Sequence, residues 1–171
     1  MKVAIIGAGL AGISCAHELE RNGITPTIFH DRDILGEPLE LPVILLKMFN
    51  IPIYLPLPYL KKKFSIDLKP HYIIKEVNMV TPVKRHNIKG NLGFIFRRGT
   101  YNGNTMLNQI VTDIKTPINF NTRVEAEDIK YNYDRVVIAT AEHSLSQKLG
   151  LFNQSFNSYS RIATITGYFR T

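Results

Sequence analysis

Three glycines at fixed spacing, Gly7, Gly9 and Gly12, follow a short apolar run at 3–6 and precede a segment of helical periodicity. Residues without side chains suit one kind of chemistry, the close approach of backbone to a polyanion. Gly7 permits a tight turn out of a strand, and Gly9 lets the backbone reach a pyrophosphate with no Cβ in the way. Gly12 lets a following helix lie close on the sheet. Ala8, Leu10 and Ala11 complete the GxGxxG, and the free N–H groups and positive dipole end of the helix would face the phosphates.

The elements that must position this turn are legible around it. The run at 3–6 has the length and branching of a buried parallel strand. Ile13, Ala16 and Leu19 then fall on one side of a helix that Asn22-Gly23 stops, and a second strand is expected at 25–29. Such a strand ends where a dinucleotide-binding fold meets the adenosine ribose. His30, Asp31 and Arg32 stand there. Without a ligand, the glycines would be no more than a flexible turn and His30 a solvent-exposed loop residue.

Strand, glycine turn, amphipathic helix, glycine stop and second strand, in that order, resemble the N-terminal part of two-dinucleotide-fold FAD-dependent oxidoreductases, a class that includes geranylgeranyl reductases and aromatic-ring hydroxylases. The resemblance implies FAD as cofactor and an acidic residue on the ribose, at the position that His30 occupies here. A carboxylate accepts from both ribose hydroxyls, whereas a neutral imidazole offers one acceptor and one donor. Three readings follow: Asp31 takes the role through a small shift, His30 takes it less well, or His30 and Arg32 meet a 2′-phosphate, which would suit NADP.

The resemblance extends along the chain. It implies that Arg98, at the end of the strand-like GFIFRR, lies close to the cofactor pyrophosphate, where a guanidinium makes forked contacts. It implies that Val124 touches adenine through its backbone. The apolar run 136–139 after Asp134 is expected as a central strand ending in Ala139-Thr140-Ala141, at the same sheet edge as the glycine turn. Glycine is usual at the position of Ala141, which leaves room for a degenerate, non-catalytic nucleotide-binding module. No residue stands out as catalytic acid, base or nucleophile. Glu142-His143-Ser144 lacks an oxyanion-hole motif and an acid to complete a hydrolase set.

The 171 residues, 44% hydrophobic and 20% charged, describe an ordinary globular chain and exclude disordered and collagen-like classes. The net charge of +7 raises nucleic acid and anionic membranes as partners. Apart from Lys61-Lys62-Lys63 and Arg97-Arg98, however, the basic residues are scattered without a recognition motif, so nucleic acid is not expected. The single cysteine, Cys15, is expected as a core residue of the first helix. No metal-ligand spacing occurs. The absence of a leader-like segment suggests a cytoplasmic protein.

The expected class is α/β: a Rossmann-like FAD/NAD(P)-binding fold, mostly parallel, with a small antiparallel insertion. Residues 1–40 and 100–150 are assigned to the dinucleotide domain, 41–99 to the insertion and 151–171 to the start of an incomplete substrate domain. Five prolines interrupt 35–60, so a short helix is expected at 43–49, followed by an extended proline-rich segment, rather than a membrane span. That segment could line a site for an apolar small-molecule substrate, or touch a membrane surface with Lys61-Lys62-Lys63 at its border. Strands are expected at 72–80 and 83–97, with turns at 81–82 and 89–91. Further expectations are a helix from 104 or 105 to about 114, a strand at 117–124, a polar turn at 125–130, a short helix at 145–149 and a strand at 161–170. Unpaired, that last strand would favour a homodimer.

Overall fold

A computed structural model describes residues 1–36, 42–47, 55–98, 103–140, 147, 148, 150 and 153. The chain divides into two compact units, Met1–Thr140 and Ala141–Thr171. In the second, residues 147 and 148 are helical and the Gly150 N–H donates to the Gln147 carbonyl at 3.0 Å. The readings at 161–170, at Glu142-His143-Ser144, at Ala141 and over most of 145–149 lie outside the described residues.

The first unit opens with strand β1 (Val3–Ile6), helix α1 (Leu10–Arg21) and strand β2 (Thr27–Phe29). β1 is short and branched because it is covered on both faces, and Val3, Ala4 and Ile5 are at most 2% exposed. α1 ends at Asn22, and Gly23 takes the positive φ of 76° that reverses the chain. β6 (Ile118–Asn119) and β7 (Arg135–Ile138) complete a four-stranded sheet of order β6-β2-β1-β7, parallel throughout. The chain therefore moves outward from β1 to β2 and β6, then crosses back to β1's other side. That reversal puts a topological switch point between β1 and β7, where sheets of this kind bind ligands beyond the carboxyl ends of their strands.

The second sheet, order β3-β5-β4, is antiparallel and built from β3 (Pro42–Leu46), β4 (Tyr72–Val80) and β5 (Arg85–Arg97). A turn at Thr81, whose N–H and side chain both bond to the Lys84 carbonyl, joins β4 to β5. Phe94 and Phe96 carry this sheet into the same core as Ile5, Ile13 and Ile28. Helix α2 (Pro56–Phe64) precedes β4, while α3 (Met106–Val111) packs beside α1 with Leu107 and Ile110 buried. Thr105 caps α3, its Oγ1 accepting from the Asn108 N–H at 3.2 Å.

Several local expectations are corrected. Residues 42–46 form a strand, not a helix, because β5 offers Val43 to Leu46 an antiparallel ladder and a short apolar run has no period of its own to resist it. The proline-rich segment is helical from Pro56: prolines in a first turn lack only N–H groups that would find no acceptor there. Residues 89–91 are not a turn. β5 runs through them with an irregularity opposite Ile74 to Glu76, and Gly90, at φ 146°, lets the strand bulge without breaking. The strand expected at 117–124 shrinks to β6. Residues 126–129 wind into one turn, α4 (Ala126–Ile129), with Glu127 and Asp128 at its positive end and Ile129 buried beneath. Among the described residues β7, expected as a central strand, lies at an edge of the parallel sheet as β6 does at the other, and Ile138 is 44% exposed.

No helix among the described residues is long and apolar enough to cross a membrane.

Candidate nucleotide-binding site

The glycine turn sits at the switch point, and its three glycines have different reasons to be glycine. Gly7, at φ 108°, passes so close to the end of β7 that a Cβ would lie 2.7 Å from the Ala139 carbonyl oxygen. At Gly12 a Cβ would lie 1.9 Å from the Gly7 oxygen, because α1 folds back directly onto the turn. Packing alone therefore demands both. Gly9 is unlike them: its φ is −80°, and a Cβ there would meet nothing within 4 Å. Packing makes no demand for a missing side chain at Gly9.

The space in front of Gly9 is the mouth of α1. No side chain caps this helix, its first turn carries no acid, and its leading N–H groups have no acceptor within the helix. Ala11 is exposed and Leu10 half-buried. A pocket opens here, lined by Gly9, Leu10, Gly36, Val43, Arg98, Met106 and Leu107. It combines an uncapped helix terminus, an arginine just beyond the end of β5 and an apolar wall. Such a set can hold an anionic group on one side and a flat or aliphatic group on the other.

The remaining expected residues gather at the same edge. Ala139 follows β7 and donates its N–H to the Ile6 carbonyl at 2.8 Å, with the exposed Thr140 next to it. Residues 30–32 run beside 119–122, since the His30 N–H donates to Asn119, and the Asn121 and Thr122 N–H groups donate to Arg32 and His30. Half-buried Val124 stands two residues further on. Asp31 and Arg32 are exposed at this rim.

His30 is not an exposed loop residue. It is 7% exposed, with Nδ1 3.4 Å from the Ala8 nitrogen and Nε2 2.8 Å from the Ile34 carbonyl oxygen. Both ring nitrogens are thus turned into the protein, while the neighbouring Asp31 side chain remains 48% exposed. The spacing of the motif passes over Gly36. Its N–H donates to the Ala8 carbonyl at 3.0 Å, and its φ of 71° and the near contact of a Cβ with Leu107 require glycine. The Leu-Gly pair at 35–36 was its one sequence signal.

The lysine cluster lies elsewhere, on α2. Lys61 pairs with Asp67 at 2.8 Å and holds that carboxyl below its ordinary range, and Lys63 lies over the rings of Tyr59 and Phe64. Cys15 is half-buried in α1, and burial pushes its thiol upward. The described residues hold no cluster of metal-ligating side chains.

Residues 1–151 match the pyridine nucleotide-disulphide oxidoreductase family. The chain belongs to that family. Membership bears out the resemblance to FAD-dependent two-dinucleotide-fold oxidoreductases and the mostly parallel Rossmann-like architecture with its antiparallel insert. Over 36 residues the chain is 58% identical to 15-cis-phytoene desaturase of Synechococcus elongatus, a match that covers 21% of this chain and 8% of that protein. The fold is similar to a geranylgeranyl bacteriochlorophyll reductase-like protein of Thermoplasma acidophilum, with TM-score 0.51 and 13% identity over 70% of this chain and 30% of that one. CtdE, solved in complex with FAD, superposes with TM-score 0.44 at 15% identity, covering 72% of this chain and 30% of CtdE. This family member thus spans about 30% of the length of these two structures.

Proposed function

We propose that this chain is the FAD-binding portion of a flavin-dependent oxidoreductase, holding the ADP half of FAD at the turn from β1 into α1. The observation that carries the reading is Gly9. Packing accounts for Gly7 and Gly12, whereas the space before Gly9 is open, beside leading helical N–H groups that no side chain caps, as close approach of a pyrophosphate requires. In this reading Leu10, Ala11 and Gly12 present N–H groups to the phosphates, and Arg98 approaches from across the pocket. Asp31 faces the ribose, and Val124 lies toward adenine. When bound, the isoalloxazine ring supplies the hydride chemistry, and the protein supplies binding and orientation. An apolar small-molecule substrate is part of the proposal, by analogy with the phytoene desaturase that part of this chain resembles.

Titrating wild type and Gly9→Ala with FAD and with ADP tests the site. A Cβ at Gly9 meets open space at an ordinary φ, so the melting temperature should move by no more than about 2–4 °C, the equivalent of roughly 1 kcal/mol in a chain of this size. FAD and ADP should each bind at least about tenfold more weakly, which is about 1.4 kcal/mol. Unchanged binding in Gly9→Ala would remove the site. Wild type that binds FAD no better than ADP would instead favour a non-catalytic nucleotide-binding module. The NADP reading requires His30 and Arg32 to meet a 2′-phosphate, and the inward engagement of both His30 nitrogens speaks for FAD.

A further inference from the structure

Residues 30–36 fasten the glycine turn from outside through both backbone groups of Ala8. The Gly36 N–H donates to the Ala8 carbonyl at 3.0 Å, and the Ala8 N–H donates to His30 Nδ1 at 3.4 Å. The same imidazole places Nε2 2.8 Å from the Ile34 carbonyl oxygen. A carbonyl only accepts, so Nε2 must carry the proton, which leaves a lone pair on Nδ1 for Ala8. One neutral tautomer meets both contacts. An imidazolium, with donors on both nitrogens, cannot.

The group positioned to respond is Asp31, whose Oδ1 lies 3.5 Å from His30 Nδ1. It is the acidic group paired with this ring among the described residues. Among the described residues the ring also meets the Phe120 ring at 6.4 Å and the Ala8 N–H just before the positive end of α1, and the exposed, charged Arg32 and Asp33 follow it in the chain. A ring that is 7% exposed has little water to exchange for these partners.

We infer that His30 is a positioning residue of the nucleotide site that works only in its neutral form, holding Ala8 in place and leaving the Asp31 carboxylate to accept hydrogen bonds from the adenosine ribose. A proton added at Nδ1 turns that atom from an acceptor of the Ala8 N–H into a donor to Asp31. Protonation thereby loosens the turn and occupies the ribose acceptor in one step. Proton and nucleotide compete. The inference rests on the FAD reading above, and its test separates the two.

FAD is the probe, because its pyrophosphate is a diester that does not titrate near neutrality. The full chain is titrated with FAD between pH 5.5 and 8, with circular dichroism recorded at each pH to monitor the fold. A proton on His30 competes with the nucleotide, so wild type should bind FAD more weakly at pH 5.5 than at pH 8. In His30→Gln, whose amide does not titrate, the same interval should change affinity less than about twofold. Asp31→Asn should lower affinity at pH 8, with the fold unchanged. An equal affinity of wild type at both pH values, or an equal pH slope in His30→Gln, overturns the inference and leaves the FAD reading standing. Failure of wild type to bind FAD at pH 8 overturns both. A readout independent of any variant is the NMR titration of the His30 ring. Bound FAD should shift it to lower pH, and an unshifted titration overturns the inference.

Discussion

The two sheets of the first unit differ in what holds their strands. β1 is four residues long and pairs in parallel on both edges, with Val3, Ala4 and Ile5 sealed from water. β4 and β5, nine and thirteen residues long, run out beyond the core, and Met79, Val80 and Val83 near their shared turn are 52%, 65% and 95% exposed. The turn out of β1 tolerates no added side chain at Gly7 or Gly12, where a Cβ would run into backbone. The ribbon's tip is held by its own ladder, by the Asn87–Asn78 side-chain bond at 2.6 Å and by the Thr81 turn. Its root differs again, since Phe94 and Phe96 lie in the common core with β1 and α1. The boundary between a rigid site and a permissive surface therefore runs across β5, not between the two sheets.

Four substitutions would sharpen or break that contrast. Phe96→Ala removes a ring that is 1% exposed and should cost about 4 kcal/mol, a fall in melting temperature of about 8–16 °C by thermal denaturation. A loss below about 1 kcal/mol would mean that the antiparallel sheet is an appendage, not part of the core. Gly12→Ala comes next, at about 3 kcal/mol. The gain of about 1 kcal/mol that alanine brings to a helix cannot offset a Cβ placed 1.9 Å from the Gly7 oxygen. A variant as stable as wild type would show that α1 can slide on β1.

Glu20 links α1 to the segment leading into β6, accepting from the Lys115 N–H at 2.9 and 3.0 Å and from the Thr116 hydroxyl. Burial pushes its carboxyl upward, but these hydrogen bonds and the Lys115 charge outweigh that and hold it below its ordinary range. A lowered folded value contributes stability that is present above the ordinary carboxylate range and is lost as pH falls through the folded value. Glu20→Gln should therefore cost about 1 kcal/mol at pH 7 and almost nothing in strong acid, with urea midpoints compared at both pH values. An equal loss at both would assign the effect to packing. The smallest change belongs to the ribbon's tip, where Val83→Ser should leave stability within about 0.5 kcal/mol by the same denaturation.

Legibility in the sequence followed the same boundary. β1, the turn, α1 and the Asn22-Gly23 stop could be read because local pattern and final structure agree there, with branched residues in a strand buried on both faces and glycines where the backbone must turn. β4 was readable at its full length, and Asn104-Thr105 announced the cap of α3. The apolar run at 42–46 was read as part of a helix at 43–49, because a short apolar run carries no period of its own, and the β5 ladder made it a strand. Gly90 signalled a departure from regular structure but not whether that was a turn or a bulge. His30 showed a departure from the acidic residue usual at the end of β2, yet nothing local indicated that its ring would turn inward.

Sequence alone determined the glycine spacing, the helix that carries it and the residues that end β2, because these depend on backbone sterics and on periods of a few residues. Tertiary structure decided what each glycine is for. Gly7 answers to Ala139 and Gly12 to the returning helix, and only Gly9 faces open space. It also decided that Arg98, more than eighty residues away along the chain, shares a pocket with Gly9, and that His30 holds Ala8 instead of facing solvent. Contacts between residues so far apart are set by how the sheets pack, and no local pattern contains them.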